Sequence, residues 1–255
     1  MIGSASAQVA RTFRLDLEYD GAGFHGWAAQ SDLRTIEASL RAALDVMLRA
    51  GYRLSVAGRT DTGVHASGQV ASVSAVTDLT PARLLRGLGG LLPHDITVRE
   101  LVESPPGFDA RRDAKSRSYE YRLLVGPRSP LRRTRALWVP RPLDRERLSE
   151  ATTKLLGLHD FQAFTPTETE HKAFERTVLR CDWVERGDEL VFCVEADAFL
   201  RHMVRTMVGT LLFVGRGLRT LEWVDEVLAS RDRRTAGRTV PAYALTLVSV
   251  CYEPD

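Results

Sequence analysis

The sequence predicts an α+β fold built from two ferredoxin-like halves with largely antiparallel sheet. Three observations carry this expectation. Apolar patterning over residues 11–106 reads strand, helix, strand, strand, helix, strand, the ferredoxin-like order. Residues 107–255 return to the same theme, although no repetition of sequence is visible. Strands and helices do not alternate one for one, as a doubly wound parallel sheet would require.

Residues 1–10, MIGSASAQVA, have neither a cationic start nor an apolar run, so they read as a disordered tail and not as a signal peptide. Residues 12–20 alternate, with Phe13, Leu15, Leu17 and Tyr19 against Arg14, Asp16, Glu18 and Asp20, as in a half-buried strand. Residues 21–34 read as a glycine-rich loop presenting an exposed Phe24-His25-Gly26-Trp27. A helix follows, with Ile36, Leu40, Ala43, Leu44 and Met47 on one stripe and Gly51 as its stop. Strands are expected at residues 54–57 and 69–76. Thr80 and Pro81 supply the cap and first residue of a second helix, and residues 96–102 a further strand.

Pro105-Pro106-Gly107 is the expected linker between the halves. Beyond it come a strand over residues 115–125 and a helix over 144–156, ending at Gly157. Residues 176–185 and 189–196 form a hairpin over Gly187-Asp188. A helix over residues 200–214 gathers Leu200, Met203, Val204, Met207, Val208 and Leu211 on one face. A shorter helix at 220–230 and a strand at 244–252 complete the chain.

The chain has 255 residues, 44% hydrophobic and 27% charged, within the range of globular proteins. No apolar run approaches the ~20 residues that span a bilayer. Cys181, Cys193 and Cys251 are widely spaced and odd in number, against a disulfide framework or a zinc site and for a reducing cytosol. Net charge is only +2, but residues 111–147 hold 12 Lys+Arg against 4 Asp+Glu. Such a local excess fits a polyanion-binding strip, and equally an ordinary solvated surface.

The densest chemistry lies in residues 58–66, GRTDTGVHA, between two expected strands. Gly58 and Gly63 are expected to supply turn angles that other residues resist, so that Arg59 and Asp61 project together. A carboxylate beside a guanidinium stays ionised, which suits a nucleophile or electrostatic stabiliser better than a general acid. The spacing also fits a turn whose aspartate caps its own backbone, and spacing alone leaves both readings open. Tyr119, among Lys115, Arg117 and Arg122, has the pattern of a ring that stacks on bases while cations meet phosphates. It also alternates with Tyr121 as a core residue would. Arg205 lies beside the apolar stripe of its helix, where a snorkelling surface arginine is the ordinary case, with His202 one turn earlier. His65 reads as a structural hydrogen-bonding group, and no histidine has metal-ligand spacing.

Residues 58–66 resemble the signature of the tRNA pseudouridine synthase A family, close to GRTDxGVHA. The likeness spans nearly the whole chain, through EYDGAGFHGW, FDARRDAKSRSYEYR, LLGLHDFQAF and ADAFLRHMVRTMVGTLLFVGRG. It implies isomerisation of uridine to pseudouridine at positions 38, 39 and 40 in the anticodon arm of tRNA. It implies no metal and no cofactor, and a cytoplasmic homodimer in which one tRNA touches both chains. On this resemblance Asp61 is the catalytic carboxylate, Arg205 the active-site arginine paired with it, and Tyr119 the ring against the target base. Arg59 joins the catalytic group from within the motif. Asp61, Tyr119 and Arg205 are then expected to converge on a cleft between the halves. Whether the carboxylate attacks the sugar or abstracts a proton stays open.

The sequence departs from the family where GWAAQ puts Ala28 in place of a glutamine, and where Ala244 and Thr246 replace a glycine and an aromatic. These bear on pocket shape and RNA contacts. Two rival functions fit parts of the sequence. Asp61-Thr62-Gly63 spells the DTG of aspartic hydrolases, but those need two aspartates sharing a proton, and no second DTG exists. A non-catalytic RNA-binding module would use the basic strip and aromatics without turnover.

Overall fold

The protein is described by a computed structural model covering residues 9–49, 51–169 and 172–253. Most of the expected N-terminal tail thus lies outside the described residues. The first half runs β1 (Arg11–Tyr19), α1 (Ile36–Leu48), β2 (Arg53–Val56), β3 (His65–Ala75), α2 (Pro81–Leu91) and β4 (Ile96–Ser104). The second runs β5 (Ser116–Leu124), β6 (Leu137–Trp138), α3 (Arg145–Thr153), β7 (Gly157–Asp160), β8 (Glu175–Arg186) and β9 (Glu189–Ala196), then α4 (Met203–Gly215), α5 (Glu222–Ser230) and β10 (Leu245–Cys251).

These strands form one mixed sheet with the spine β4-β1-β3-β10-β5-β9-β8-β7, while β2 pairs with β3 and β6 with β5. The arrangement β4-β1-β3-β2 recurs as β10-β5-β9-β8, so both halves show the ferredoxin-like strand order. Pairing is antiparallel except between β10 and β3 and between β5 and β6. The halves meet through β3. Its residues 71–74 pair with β2, while His65 and Ala66 pair with β10. Residues 57–64 therefore leave the sheet at the point where β3 changes partners.

Local chemistry sets the element ends. Thr35 caps α1 by accepting Ala38 N at 3.3 Å, Thr80 caps α2 by accepting Arg83 N at 3.3 Å, and Asp144 caps α3 by accepting Arg147 N at 3.0 Å. The left-handed turn that ends α1 falls on Arg49 (φ 61°), ahead of the expected stop at Gly51. Helix α4 starts three residues later than its apolar pattern suggested, because His202 is left-handed (φ 62°) and sets the cap there. The short strand β7 has no period long enough to be read in sequence; it begins at Gly157, whose φ of 91° ends the preceding turn.

The loop after β1 corrects the sequence reading. Phe24 and Trp27 are 2% and 1% exposed, not surface residues. The Arg34 guanidinium covers the Phe24 ring at 3.9 Å. Glycines that suggest a surface loop instead let the backbone fold inward: a Cβ on Gly26 would stand 2.8 Å from Thr60 O. Each of these buried rings contributes about 1.5–3 kcal/mol by leaving water. One core cluster runs from Phe13 and Leu15 through Tyr121 and Phe192 to Met207 and Leu211, across both halves.

Helix α4 lies backbone against backbone on residues 237–240. Gly237 N donates to Thr210 Oγ1 at 3.0 Å, and Val240 N donates to Arg205 O at 3.3 Å. A Cβ on Gly209 would sit 1.7 Å from Arg238 O. Gly209→Ala should therefore destabilise the protein by about 1–3 kcal/mol through overpacking, outweighing the ~1 kcal/mol that alanine adds in a helix interior. A denaturant melt checks this, and an unchanged or raised midpoint would show that the strap at 237–240 yields freely.

Candidate active site

Side chains from several strands fix the loop at residues 57–64. Gln69 on β3 donates to Gly58 O at 2.7 Å and to Tyr19 Oη at 3.2 Å, and Tyr19 Oη pairs with Thr60 Oγ1 at 2.8 Å. Arg117 on β5 donates to Ala57 O through Nε and Nη2, at 3.1 and 2.9 Å. Its other protons go to Arg111 O, Ala114 O and Asp197 O. Main chain completes the support, with Trp27 N donating to Thr60 O at 3.0 Å and Gly63 N to Phe24 O at 3.2 Å.

A buried guanidinium is tolerable only when hydrogen bonds replace its lost water. Arg117 meets that condition wholly with carbonyls, so it ties β5 to the loop and is not free for phosphate. The sequence pattern alone groups it with the phosphate-facing cations. Neither Gln69 nor Arg117 leaves a signal in sequence, because their partners are backbone atoms distant along the chain. Gly63 has the expected left-handed angle, φ 80°, but Gly58 does not. A Cβ on Gly58 would lie 3.8 Å from Tyr119 Oη, an ordinary contact.

Asp61 reaches into a cleft shared by Tyr119, His202, Met203 and Arg205. Its Oδ2 is 3.2 Å from Arg205 Nη1 and 3.6 Å from His202 Nε2, with the Asp61 side chain 26% exposed. Arg205 is 15% exposed and does not snorkel, because Nε donates to Val240 O at 2.8 Å and points the guanidinium inward. The guanidinium beside Asp61 is thus Arg205, 144 residues away, and not Arg59. The chain turns over residues 61–64, where the Asp61 carbonyl accepts Val64 N at 3.1 Å. Among the described residues Arg59 is exposed and makes no hydrogen bond or ion pair, although it still lines the cleft.

Tyr119 is 8% exposed and meets the Phe199 ring edge-on at 5.0 Å between centroids. Burial pushes its phenol up, with the Tyr19 and Asp61 charges adding to the shift, so it stays protonated at neutral pH. Tyr121, two residues on, is fully buried and donates to Pro241 O at 2.9 Å. Ala244, one of the departures from the family pattern, is fully buried, and Thr246 pairs with His65 and Glu120 in the sheet. Ala28 is half-buried.

His65 is 1% exposed and faces away from this chemistry. Its Nδ1 accepts Gly21 N at 3.1 Å, so Nε2 carries the proton toward Thr134 O and Tyr243 O, at 2.9 and 3.0 Å. Burial, aided by Arg135, lowers its pKa. Asp20 stands 3.0 Å from Nδ1, but it meets a lone pair there and pairs with Arg135 instead. This histidine lines a cavity of about 480 Å³ with Asp20, Asp95 and Arg135. The cavity is larger than the Asp61 cleft, and its two aspartates are ion-paired, Asp95 with Arg34 and Asp20 with Arg135. Among the described residues no group of three His, Cys, Asp or Glu could hold a metal ion, and no helix is long and apolar enough to cross a membrane.

A family model described as tRNA pseudouridine synthase matches residues 151–253. Proteins named tRNA pseudouridine synthase A align over almost the whole chain. That of Frankia casuarinae is 46% identical, covering 95% of this chain and 89% of the relative. Those of Myxococcus xanthus and Chloroflexus aurantiacus are 43% and 42% identical, over 94% and 96% of this chain and 91% and 90% of theirs. A solved Cbf5-Nop10-Gar1 complex is a distant likeness, with TM-score 0.34 and 13% identity over 79% of this chain and 54% of the other. The family model and these relatives define an isomerase of the class that converts uridine to pseudouridine. Within that class the chain belongs to the tRNA pseudouridine synthase A family.

The neutral, buried His65 has a consequence for stability. Its ring titrates below the ordinary 6.5 in the folded chain. As pH falls past about 6.5, the unfolded chain takes up a proton that the native ring refuses, so stability declines. The decline ends once the native ring is protonated too, and above 6.5 the group contributes nothing. Urea melts between pH 7.5 and 5.5 should show a shallower decline for His65→Gln than for the parent. His202, whose pKa burial also lowers, adds to the decline in both proteins. Equal slopes would show that His65 protonates as readily as an exposed histidine.

Proposed function

We propose that the chain isomerises uridine to pseudouridine in tRNA, at positions 38, 39 and 40 of the anticodon arm, with Asp61 as the reacting carboxylate. The reaction breaks N1–C1′, turns the uracil, and rejoins it through C5. The target base must first leave its stack, at a cost of a few kcal/mol. A carboxylate beside the sugar then either holds C1′ covalently, as in a retaining glycosidase, or abstracts a sugar proton.

The observation that carries this reading is the half-buried Asp61 carboxylate at 3.2 Å from an arginine that is itself fixed by Val240 O. A preorganised charge of this kind stabilises a developing transition state without rearranging during the reaction. Tyr119 is the flat face against which the detached uracil is held. Arg59, exposed and unpaired beside the cleft, is the cation free to meet the nucleotide.

The basic excess supports RNA binding in a reduced form. Of the twelve cations in residues 111–147, Arg112, Arg122, Arg132, Arg135 and Arg145 are ion-paired within the chain and Arg117 is spent on carbonyls. Arg111, Lys115, Arg128, Arg133, Arg141 and Arg147 remain for phosphates. The enzyme acts as a cytoplasmic homodimer in which one tRNA touches both chains; sedimentation as a fully active monomer would remove that part. The three cysteines are free, in keeping with a reducing compartment.

Asp61→Asn keeps size and removes charge. Release of tritium from unmodified tRNA labelled at uridine C5 should vanish, while tRNA affinity stays within about threefold, since phosphate contacts supply most of it. Retention of activity within about tenfold, only ~1.4 kcal/mol of barrier, would end the assignment. Affinity should also fall about a hundredfold or more between 50 and 200 mM salt as neutralised phosphates release counterions. A flat salt response would mean that the six unpaired cations do not meet RNA.

A further inference from the structure

Isomerisation at the Asp61 cleft leaves one step without an owner. When C5 of the detached uracil bonds to C1′, that carbon becomes tetrahedral and still holds its hydrogen, with a double bond between N1 and C6. The C5 proton must then leave. Its bonding pair forms C5=C6, the N1=C6 pair returns to N1, and N1 takes up a proton. No net proton is consumed, but a base must receive the first one. The step is common to both routes open to Asp61.

The cleft holds few groups able to accept a proton. Arg59 and Arg205 are cations throughout. Tyr119 is held as the neutral phenol by burial. Asp61 is released from the sugar when C5 bonds to C1′, but its Oδ2 then faces Arg205 Nη1 at 3.2 Å, and a carboxylate is in general a weaker base than an imidazole. His202 is the remaining titratable side chain lining the cleft.

Its placement is specific. His202 adopts the left-handed conformation, φ 62° and ψ 0°, at the start of α4. For a residue with a Cβ this costs about 1–2 kcal/mol, and it persists only where the surroundings impose it. The fold imposes it through Thr206 N, which donates to His202 O at 3.0 Å, and through the buried Met203 that follows. The ring is thereby turned toward Asp61, with Nε2 3.6 Å from Oδ2, beyond hydrogen-bond reach. Among the described residues the imidazole of His202 makes no hydrogen bond, and its side chain is 25% exposed, so a nitrogen is open to an incoming base. The surroundings favour the neutral, accepting ring. Burial and the cations Arg205, Arg201 and Arg233 lower its pKa, and only Asp61 raises it.

We infer that His202 is the catalytic base of the second half of the reaction, receiving the C5 proton of the joined uracil on Nε2 and returning it to solvent as N1 is protonated. The inference rests on the proposed isomerisation at Asp61.

Single-turnover rates on an unmodified tRNA transcript, carrying either ordinary or 5-deuterated uridine, test it. His202→Asn is the first variant, because asparagine tolerates the left-handed conformation, and a thermal melt confirms that it folds. Its rate should drop about 10²-fold or more, the scale of a lost general base. Its deuterium isotope effect should rise above the parent's as C5–H cleavage becomes limiting. The parent rate should fall as pH drops and the ring protonates, while the variant rate stays flat over the same range. His202→Gly removes the ring without backbone strain, and added imidazole should restore part of its rate. A rate within about threefold of the parent overturns the inference. So does a slow variant with no rise in isotope effect and no rescue, which would make His202 a positioning residue for Asp61. Failure of the underlying reading looks different: the parent itself would then release no hydrogen from C5, or Asp61→Asn would remain active.

Discussion

Backbone carbonyls taken out of water must find donors, and that constraint governs this site. Strand β3 gives part of its edge to β2 and part to β10, and residues 57–64 leave the sheet in between. The carbonyls of Ala57, Gly58 and Thr60 therefore lose the ladder that would have satisfied them. Arg117, Gln69 and the backbone N–H of Trp27 take its place. Each such group left unpaired would cost about 1–3 kcal/mol. The same bonds that avoid this cost hold the loop in one conformation, so Asp61 stands on a fixed base.

The site also shows how the two halves depend on each other. The carboxylate comes from the first half. Its arginine, the neighbouring histidine and the aromatic face come from the second. Parallel pairing of β10 with β3 and an unbroken core keep these groups in register. Helix α4 extends that control, because its contact with residues 237–240 supplies the carbonyl that aims Arg205. A surface arginine pair is usually worth little, since two long side chains must be ordered to make it. Here the ordering is done beforehand by Val240 O, which fixes the Arg205 guanidinium where it meets Asp61.

Charge is spent unevenly over the surface. The basic segment reads as a strip in sequence, yet folding pairs much of it. Glu120 alone accepts from Arg122 and Arg186, and Asp188 pairs with Arg132. Sequence charge sums count cations; the fold decides which of them still have free N–H groups for a phosphate.

The sequence by itself determined the ferredoxin-like element order of the first half, the Thr80 cap of α2, the core alternation of β1, and the motif that carries Asp61. These signals are local, because caps, alternation and turn residues act within a few positions of one another. The likeness to the family also marked Arg205 and Tyr119, which no local pattern would have singled out. Where the residue spacing put Arg59 beside Asp61, the tertiary structure leaves Arg59 exposed and brings Arg205 in from 144 residues later. It alone decided that Phe24 and Trp27 are core, since their burial depends on a backbone contact between Gly26 and Thr60. The roles of Gln69 and Arg117 were likewise invisible, because a side chain that satisfies a distant carbonyl leaves no periodicity. Burial, hydrogen-bond satisfaction and the pairing of charges are properties of what the folded chain brings together, and only the local part of that is written in the order of residues.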